Sequence, residues 1–333
     1  MKNKIFLFTF LGISMLTGCQ QSENIDFVDE NLPLAIEASI GGAEKLASRY
    51  VGDAPNDVAF GENDQIGVAL QGGSFVKWTL DKEGHWIQDG NSMTWKDKIS
   101  DHVFYAFYPY CVNATLSNVP MPPLANQKGT MESVAACDFL VTSKKQKYEN
   151  GGVVSFTEDE SFQHVSSLIA LTLKNAGDLV SATINGISLN GTDIVTPTNY
   201  SFLAESEGSK VTLDDDNSDD DLQVTLADAE SLMGDKNPKT LYFIINSGTV
   251  NPSEVTLSIA YTSANGDKCQ ASLTGLKKDN DYLFERGKQY NYGITVSDRV
   301  LTITGGVISD WTEGVSIGDF TINGEKKEEN NEN

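Results

Sequence analysis

Three histidines, four cysteines and a block holding six aspartates are the residues of this 333-residue chain whose types could do chemistry. Catalysis or metal binding needs such groups to converge, and the sequence disperses them. His85, His102 and His164 stand far apart, and no His-Glu-x-x-His, Gly-x-Ser-x-Gly or glycine-rich phosphate loop occurs. The block LDDDNSDDDLQ (213–223) offers carboxylates, the hard oxygen donors that calcium prefers. It lacks the turn glycine and closing glutamate of an EF-hand loop, so it reads as a solvated loop between two strands. His164, in SFQHVSSLIALTLKN, reads as a structural histidine hydrogen-bonded to backbone. The expectation is therefore no catalytic residue, no metal, no cofactor and no enzyme; an exported hydrolase is the weakest reading.

Cys19 carries a different chemistry. Lys2 and Lys4 precede an apolar run from Ile5 to Leu16, too short for a bilayer core that needs about 20 residues. That is the plan of a secretory signal. Leu16-Thr17-Gly18-Cys19 resembles the bacterial lipobox. The resemblance implies cleavage before Cys19 and acylation of its thiol and new amino group, which anchors the precursor to membrane lipid without spanning it. Cys111, Cys137 and Cys269 remain, an odd number in an exported chain. Cys111 closes one apparent strand and Cys137 opens another. A Cys111–Cys137 disulfide is one expectation, and three buried inert thiols the other.

A net charge of −23 and a pI near 4.4 leave nothing to neutralise phosphates, which excludes nucleic acid as a partner. About 310 residues follow Cys19, more than one core usually holds, so two domains are expected.

The elements that must position these groups are almost all strands. NLPLAIEASIGGAEKLASRYVGD (31–53) places Leu32, Leu34, Ile36, Ala38 and Ile40 on every second position, the pattern of a half-buried strand. Gly41-Gly42 and a small polar run up to Arg49 follow it. Further strands are read at 66–70, 103–108, 152–156, 168–175, 181–189, 210–213, 222–226, 241–246, 255–261, 290–296 and 301–308. Turn signals such as Asn150-Gly151, Asn190-Gly191 and Asn265-Gly266 punctuate them. ADAESLMGD (227–235) is the one candidate short helix. This is an all-β pattern of sandwiches, with a boundary near TEDESF (157–162) and a polar, disordered tail over 324–333.

Several landmarks together resemble the fimbrillins, the type V pilin family of surface fimbriae. ENDQIGVAL (62–70) is similar to the family's GD-x-IGV strand, with Asn63 in place of glycine. VFYAFYPY (103–110) is similar to its aromatic strand, and PPLANQ before ACDFLVTSKK to its proline–glutamine loop and following strand. VSFTEDESFQHVSSLIALTL and FERGKQYNYGITVSDRVLTITGGVISDW (284–311) complete the series in order.

The resemblance implies two tandem transthyretin-like β-sandwich domains, at 50–160 and 161–323, behind a signal peptide (1–18) and a propeptide (19–49). It implies an outer-membrane lipoprotein precursor that an arginine-specific protease cuts between Arg49 and Tyr50. The strand carrying Leu32 to Ile40 would leave, and a strand from another fimbrial subunit would fill the vacated groove at the cell surface. Val315, Ile317, Phe320 and Ile322 form the candidate donor strand, in two phases that a bulge at Gly318-Asp319 reconciles; the last strand of its own domain is the other reading. The alternatives in function are a tip adhesin, or a permanently lipidated anchor that is not cleaved, binding a host or bacterial surface ligand. In the second of these, residues 32–40 are a permanent strand and Arg49 an ordinary surface residue.

Overall fold

The computed structural model describes residues 32–41, 59–90, 93–175, 183–214, 221–226, 230–231, 239–263, 265–276, 283–297, 300–310 and 321–323. The chain is all-β, as its alternation predicts, with strands in several sheets. Among the described residues no helix is long and apolar enough to cross a membrane.

The first half is organised by a six-stranded antiparallel sheet. Its order is Gln163–His164, Leu140–Gln146, His102–Tyr108, Gln65–Leu70, Val76–Leu80, Trp86–Gln88. Successive side chains of a strand point to opposite faces, and both faces here are covered. Phe104, Ala106 and Leu140 enter one cluster with Ile66, Val68, Trp78 and Trp95. Their neighbours Phe107 and Val141 enter another with Val119, Phe139, Val165 and Tyr200. Burial on both sides explains why QIGVAL is a continuous apolar run rather than an alternating one. Gly67 sits opposite Phe107 in this sheet. A Cβ there would stand 2.4 Å from the Phe107 ring, so glycine is what lets the ring lie flat across the neighbouring strand.

The second half is one long sheet wrapped round a single core. Its order is Lys239–Ile245, Ser167–Asn175, Lys288–Ser297, Val300–Asp310, Lys268–Thr274, Thr256–Thr262, Thr183–Asn190, Asp221–Val224, Asn126–Gln127. Leu241 and Phe243 at one end and Leu222 and Val224 near the other belong to the same cluster, so the sheet curls back on itself.

The halves interlock. Val119–Pro120 pairs with Thr198–Tyr200, and Asn126–Gln127 runs parallel to Gln223–Val224. The buried Gln127 side chain donates to the carbonyls of Leu124 (2.9 Å) and Ile244 (2.7 Å) and accepts from the Ile244 N–H (2.8 Å). Residues 119–137 therefore pack with the second half although they precede the boundary expected near 157–162. The helix Met131–Cys137 belongs to this excursion. The Thr130 hydroxyl accepts from the Ser133 N–H at 3.2 Å as its N-cap, and Met131, Val134 and Cys137 pack on Leu168 and Ile244.

Two expectations are corrected here. Cys137 ends a helix instead of opening a strand. Within ADAESLMGD, Glu230–Ser231 is extended and pairs with Thr183 and Ile184, because edge pairing is open to it in the folded sheet; the rest of that stretch lies outside the described residues.

Candidate functional site

The first strand is the site on which the functional reading turns. From Leu32 to Ile40 the side chains alternate as the sequence predicts. Leu32, Leu34, Ile36 and Ile40 are 3, 9, 7 and 0% exposed, Pro33, Ala35 and Glu37 face solvent, and Ala38 is half-buried. The four buried side chains join Phe60, Trp86, Trp95, Val154, Phe156 and Phe162 on the six-stranded sheet. Together with the segments it pairs with, this strand forms the second layer over that face.

Its backbone is held in three places. Leu32 and Pro33 pair antiparallel with Trp95 and Thr94. Ala35–Ala38 runs parallel to Val153–Phe156, Ile36 opposite Val154 and Ala38 opposite Phe156. Beyond Ala38, Ser39 N–H donates to the Phe156 carbonyl (3.0 Å), Phe162 N–H to Ser39 (2.9 Å), and Gly41 N–H to Phe162 (2.9 Å). Among the described residues, Val153–Phe156 is the only strand laddered to Ala35–Ala38. The floor under Ile40 is aromatic: Phe162 makes edge contacts with Phe60 (5.1 Å between centroids) and Phe156 (6.0 Å). Trp95 closes the other end, its indole N–H donating to the Gly152 carbonyl at 2.9 Å.

Magnitudes decide what removal would do. A fully buried large aliphatic is worth about 1.5–3 kcal/mol, so four give about 6–12 kcal/mol, an upper figure because unfolded chains are not fully extended. A whole domain is stable by only about 5–15 kcal/mol. Losing the strand would also strand the backbone groups of Val153–Phe156 at an open edge. An empty groove is untenable; a refilled one is not.

Other residues singled out from the sequence fall elsewhere. Cys19, Arg49, Tyr50, Val315, Ile317 and Phe320 lie outside the described residues, as does 215–220 of the aspartate block. The backbone of Ile322 is described: Thr321–Asn323 pairs antiparallel with Thr302–Thr304 of its own chain. The three histidines do not converge. His85 lies on an exposed turn beside Asp81 (3.5 Å), and His102 is buried with Nε2 3.2 Å from the Asp97 carbonyl. His164 is buried, and its Nδ1 shares a 2.9 Å hydrogen bond with the buried carboxylate of Asp138. Leu140 opposite His164 in the sheet brings that carboxylate near, a partner 26 residues away that spacing did not reveal. Among the described residues no three His, Cys, Asp or Glu side chains gather as a metal site.

The expected Cys111–Cys137 disulfide is not formed. Cys111 packs beside the Phe107 cluster with its thiol 3.7 Å from the Pro120 carbonyl, whereas Cys137 is buried in the separate cluster under the helix. Both are free thiols, as is Cys269, but only Cys137 is buried; Cys111 and Cys269 are half-buried, which corrects the expectation of three buried thiols. Burial pushes both the Cys111 and the Cys137 thiol above the ordinary range, and the Asp138 carboxylate adds to the effect at Cys137.

Comparison with known proteins places this architecture. A family model described as fimbrillin-like matches residues 53–311. The chain belongs to the fimbrillin-like family. A search of curated proteins returned no match. Among solved structures, a candidate cell adhesion protein from Bacteroides uniformis is similar with a TM-score of 0.56 and 17% identity, over 84% of this chain and 99% of that one. One from Bacteroides ovatus has a TM-score of 0.53 and 18% identity, over 84% and 97%. The tip fimbrial protein Mfa3 from Porphyromonas gingivalis, with C-terminal truncation, aligns at a TM-score of 0.44 and 9% identity, over 84% and 99%. At these identities the first two establish a shared fold.

Proposed function

We propose that this chain is a structural subunit of a bacterial surface fimbrium that mediates adhesion. It is exported as an outer-membrane lipoprotein acylated at Cys19 and polymerised by strand exchange after an arginine-specific protease cuts between Arg49 and Tyr50. The observation that carries the reading is the first strand itself. It buries four large aliphatic side chains in the core, and among the described residues its central stretch Ala35–Ala38 is laddered to Val153–Phe156 alone, so it is indispensable to the fold and, along that stretch, paired on one edge. Membership of the fimbrillin-like family supports the same role. Gly41-Gly42 and the small polar residues before Arg49 have the composition of the exposed loops that proteases cut. Strand addition by a neighbouring subunit restores both the lost apolar burial and the open edge. The segment carrying Val315, Ile317, Phe320 and Ile322 is the strand this subunit offers in turn, on release of Thr321–Asn323 from its pairing with Thr302–Thr304.

Intact mass and N-terminal sequencing of protein sheared from its own cells tests the reading. A chain beginning at Tyr50 without lipid is the expected result. A chain beginning at acylated Cys19 makes the protein an uncleaved anchor or surface lipoprotein instead.

A further inference from the structure

The groove prescribes its occupant, and this chain's own C-terminus does not meet the prescription. Nine residues fill the groove. Measured from Leu32, the first, third, fifth and ninth are large, aliphatic and buried, while the seventh, Ala38, is small and half-buried. The first stands beside Trp95, the fifth opposite Val154, the seventh opposite Phe156 and the ninth opposite Phe162. The strand in place runs parallel to Val153–Phe156. The seventh position is half-buried, and the ninth is wholly buried in a cluster that includes Phe60, Phe156 and Phe162.

Between Trp311 and Asn323 the sequence reads WTEGVSIGDFTIN. No nine-residue window in it carries apolar residues at positions one, three, five and nine. In the window from Val315, Val315 and Ile317 match, but Asp319 falls on the place of Ile36 and Asn323 on that of Ile40. In the window from Trp311, Glu313 falls on the place of Leu34 and Asp319 on that of Ile40. A carboxylate buried in the apolar cluster with Phe60, Phe156 and Phe162 is strongly disfavoured. A bulge at Gly318-Asp319 restores the phase of Phe320 and Ile322, but bulges are rare in parallel pairs, and the groove's own occupant has none.

On the strand-exchange reading, on which this step rests, we infer that the groove takes its strand from a chain of different sequence and not from a second copy of this one. That strand runs parallel to Val153–Phe156, with large aliphatic residues at positions one, three, five and nine and a small residue at seven. The subunit is thus built for a mixed fibre, and its neighbour on the groove side is a distinct protein.

The test uses the chain from residue 20 onward with a specific-protease site in place of residues 44–49, so that it does not depend on cleavage at Arg49. After cutting, verified by intact mass, the protein is refolded from urea with an excess of one fluorescent peptide. The peptides are 31–41 (NLPLAIEASIG), the same peptide with Ile36→Asp, and 311–323. Incorporation is read by gel filtration and fluorescence anisotropy. Peptide 31–41 is expected to enter about 100-fold more tightly than 311–323, since one polar or unfilled core position carries a penalty of that order, and 311–323 to bind no better than the Ile36→Asp peptide. Comparable binding of 311–323 and 31–41 overturns the mixed-fibre inference and leaves strand exchange standing. Failure of 31–41 itself to enter overturns the strand-exchange reading and this inference with it.

Discussion

The carbonyl oxygen of Pro33 occupies the space that a side chain on Gly152 would need: a Cβ built on Gly152 would stand 2.4 Å from it. Gly152 also has φ of +93°, and its own carbonyl accepts the Trp95 indole N–H. The first strand can lie against the turn before Val153 only because nothing projects from that position.

Gly152→Ala should therefore destabilise the precursor. The left-handed backbone alone costs a non-glycine residue about 1–3 kcal/mol, and the clash with backbone at Pro33 adds to it. A chemical denaturation midpoint equal to that of the parent would show that the first strand does not approach Gly152 as described. Gly151→Ala next to it, open on its Cβ side, supplies the strain without the clash and should fall between the two.

Ile36→Asp should destabilise by about 3 kcal/mol or more, because it removes a buried aliphatic and leaves a carboxylate in the apolar cluster. Glu37→Gln, one residue on and facing solvent, should change stability by less than about 0.5 kcal/mol. Thermal melts of both variants check the alternation directly; equal effects would mean that the strand does not bury one face.

The Cys137 thiol should behave as an inert core group. Only the thiolate reacts, and burial holds the Cys111 and Cys137 thiols above their ordinary range. In the chain from residue 20 onward, iodoacetamide at pH 8 should label Cys137 slowly in the native protein. After unfolding without reductant, Cys111, Cys137 and Cys269 should all take the label. Labelling of Cys269 alone would restore the Cys111–Cys137 disulfide.

Much of this molecule was legible in its sequence, and the boundary of legibility is physical. The first strand was readable because one buried face imposes a strict period of two, and its residues keep that period from Leu32 to Ile40. Its partners were not, because alternation says that a residue is buried and not which backbone lies beside it. The parallel ladder with Val153–Phe156 spans more than a hundred residues of sequence. The helix Met131–Cys137 has too few turns to show a period; its one local signal was Thr130 as a capping hydroxyl before MESVAAC. Lys268–Thr274 went unread although Cys269, Ala271 and Leu273 alternate after the Asn265-Gly266 turn, since Cys and Ala are weak markers of an apolar face. The His164–Asp138 pair depends on sheet register, and the absence of a Cys111–Cys137 bridge on which clusters the two residues join.

Acid should weaken the molecule at one identifiable surface link. Glu207 is bonded by both Lys210 and Arg286, which ties the turn after Tyr200 to the approach of the Lys288–Ser297 strand. The Lys210 hydrogen bond, reinforced by Arg286, holds the Glu207 carboxyl below the ordinary glutamate value despite partial desolvation. A depressed carboxyl pKa in the folded state contributes stability that is fully present above the unfolded value and is lost as pH falls through the folded one. The link is therefore intact at neutral pH and fades in the acid range below the usual glutamate titration. Because Glu207 is largely exposed, the contribution is at most about 1 kcal/mol and shrinks with salt. Glu207→Gln should lower stability by that amount at pH 7 and converge with the parent at low pH. Parallel pH-stability curves, offset equally at every pH, would show that the glutamate contributes packing and not charge.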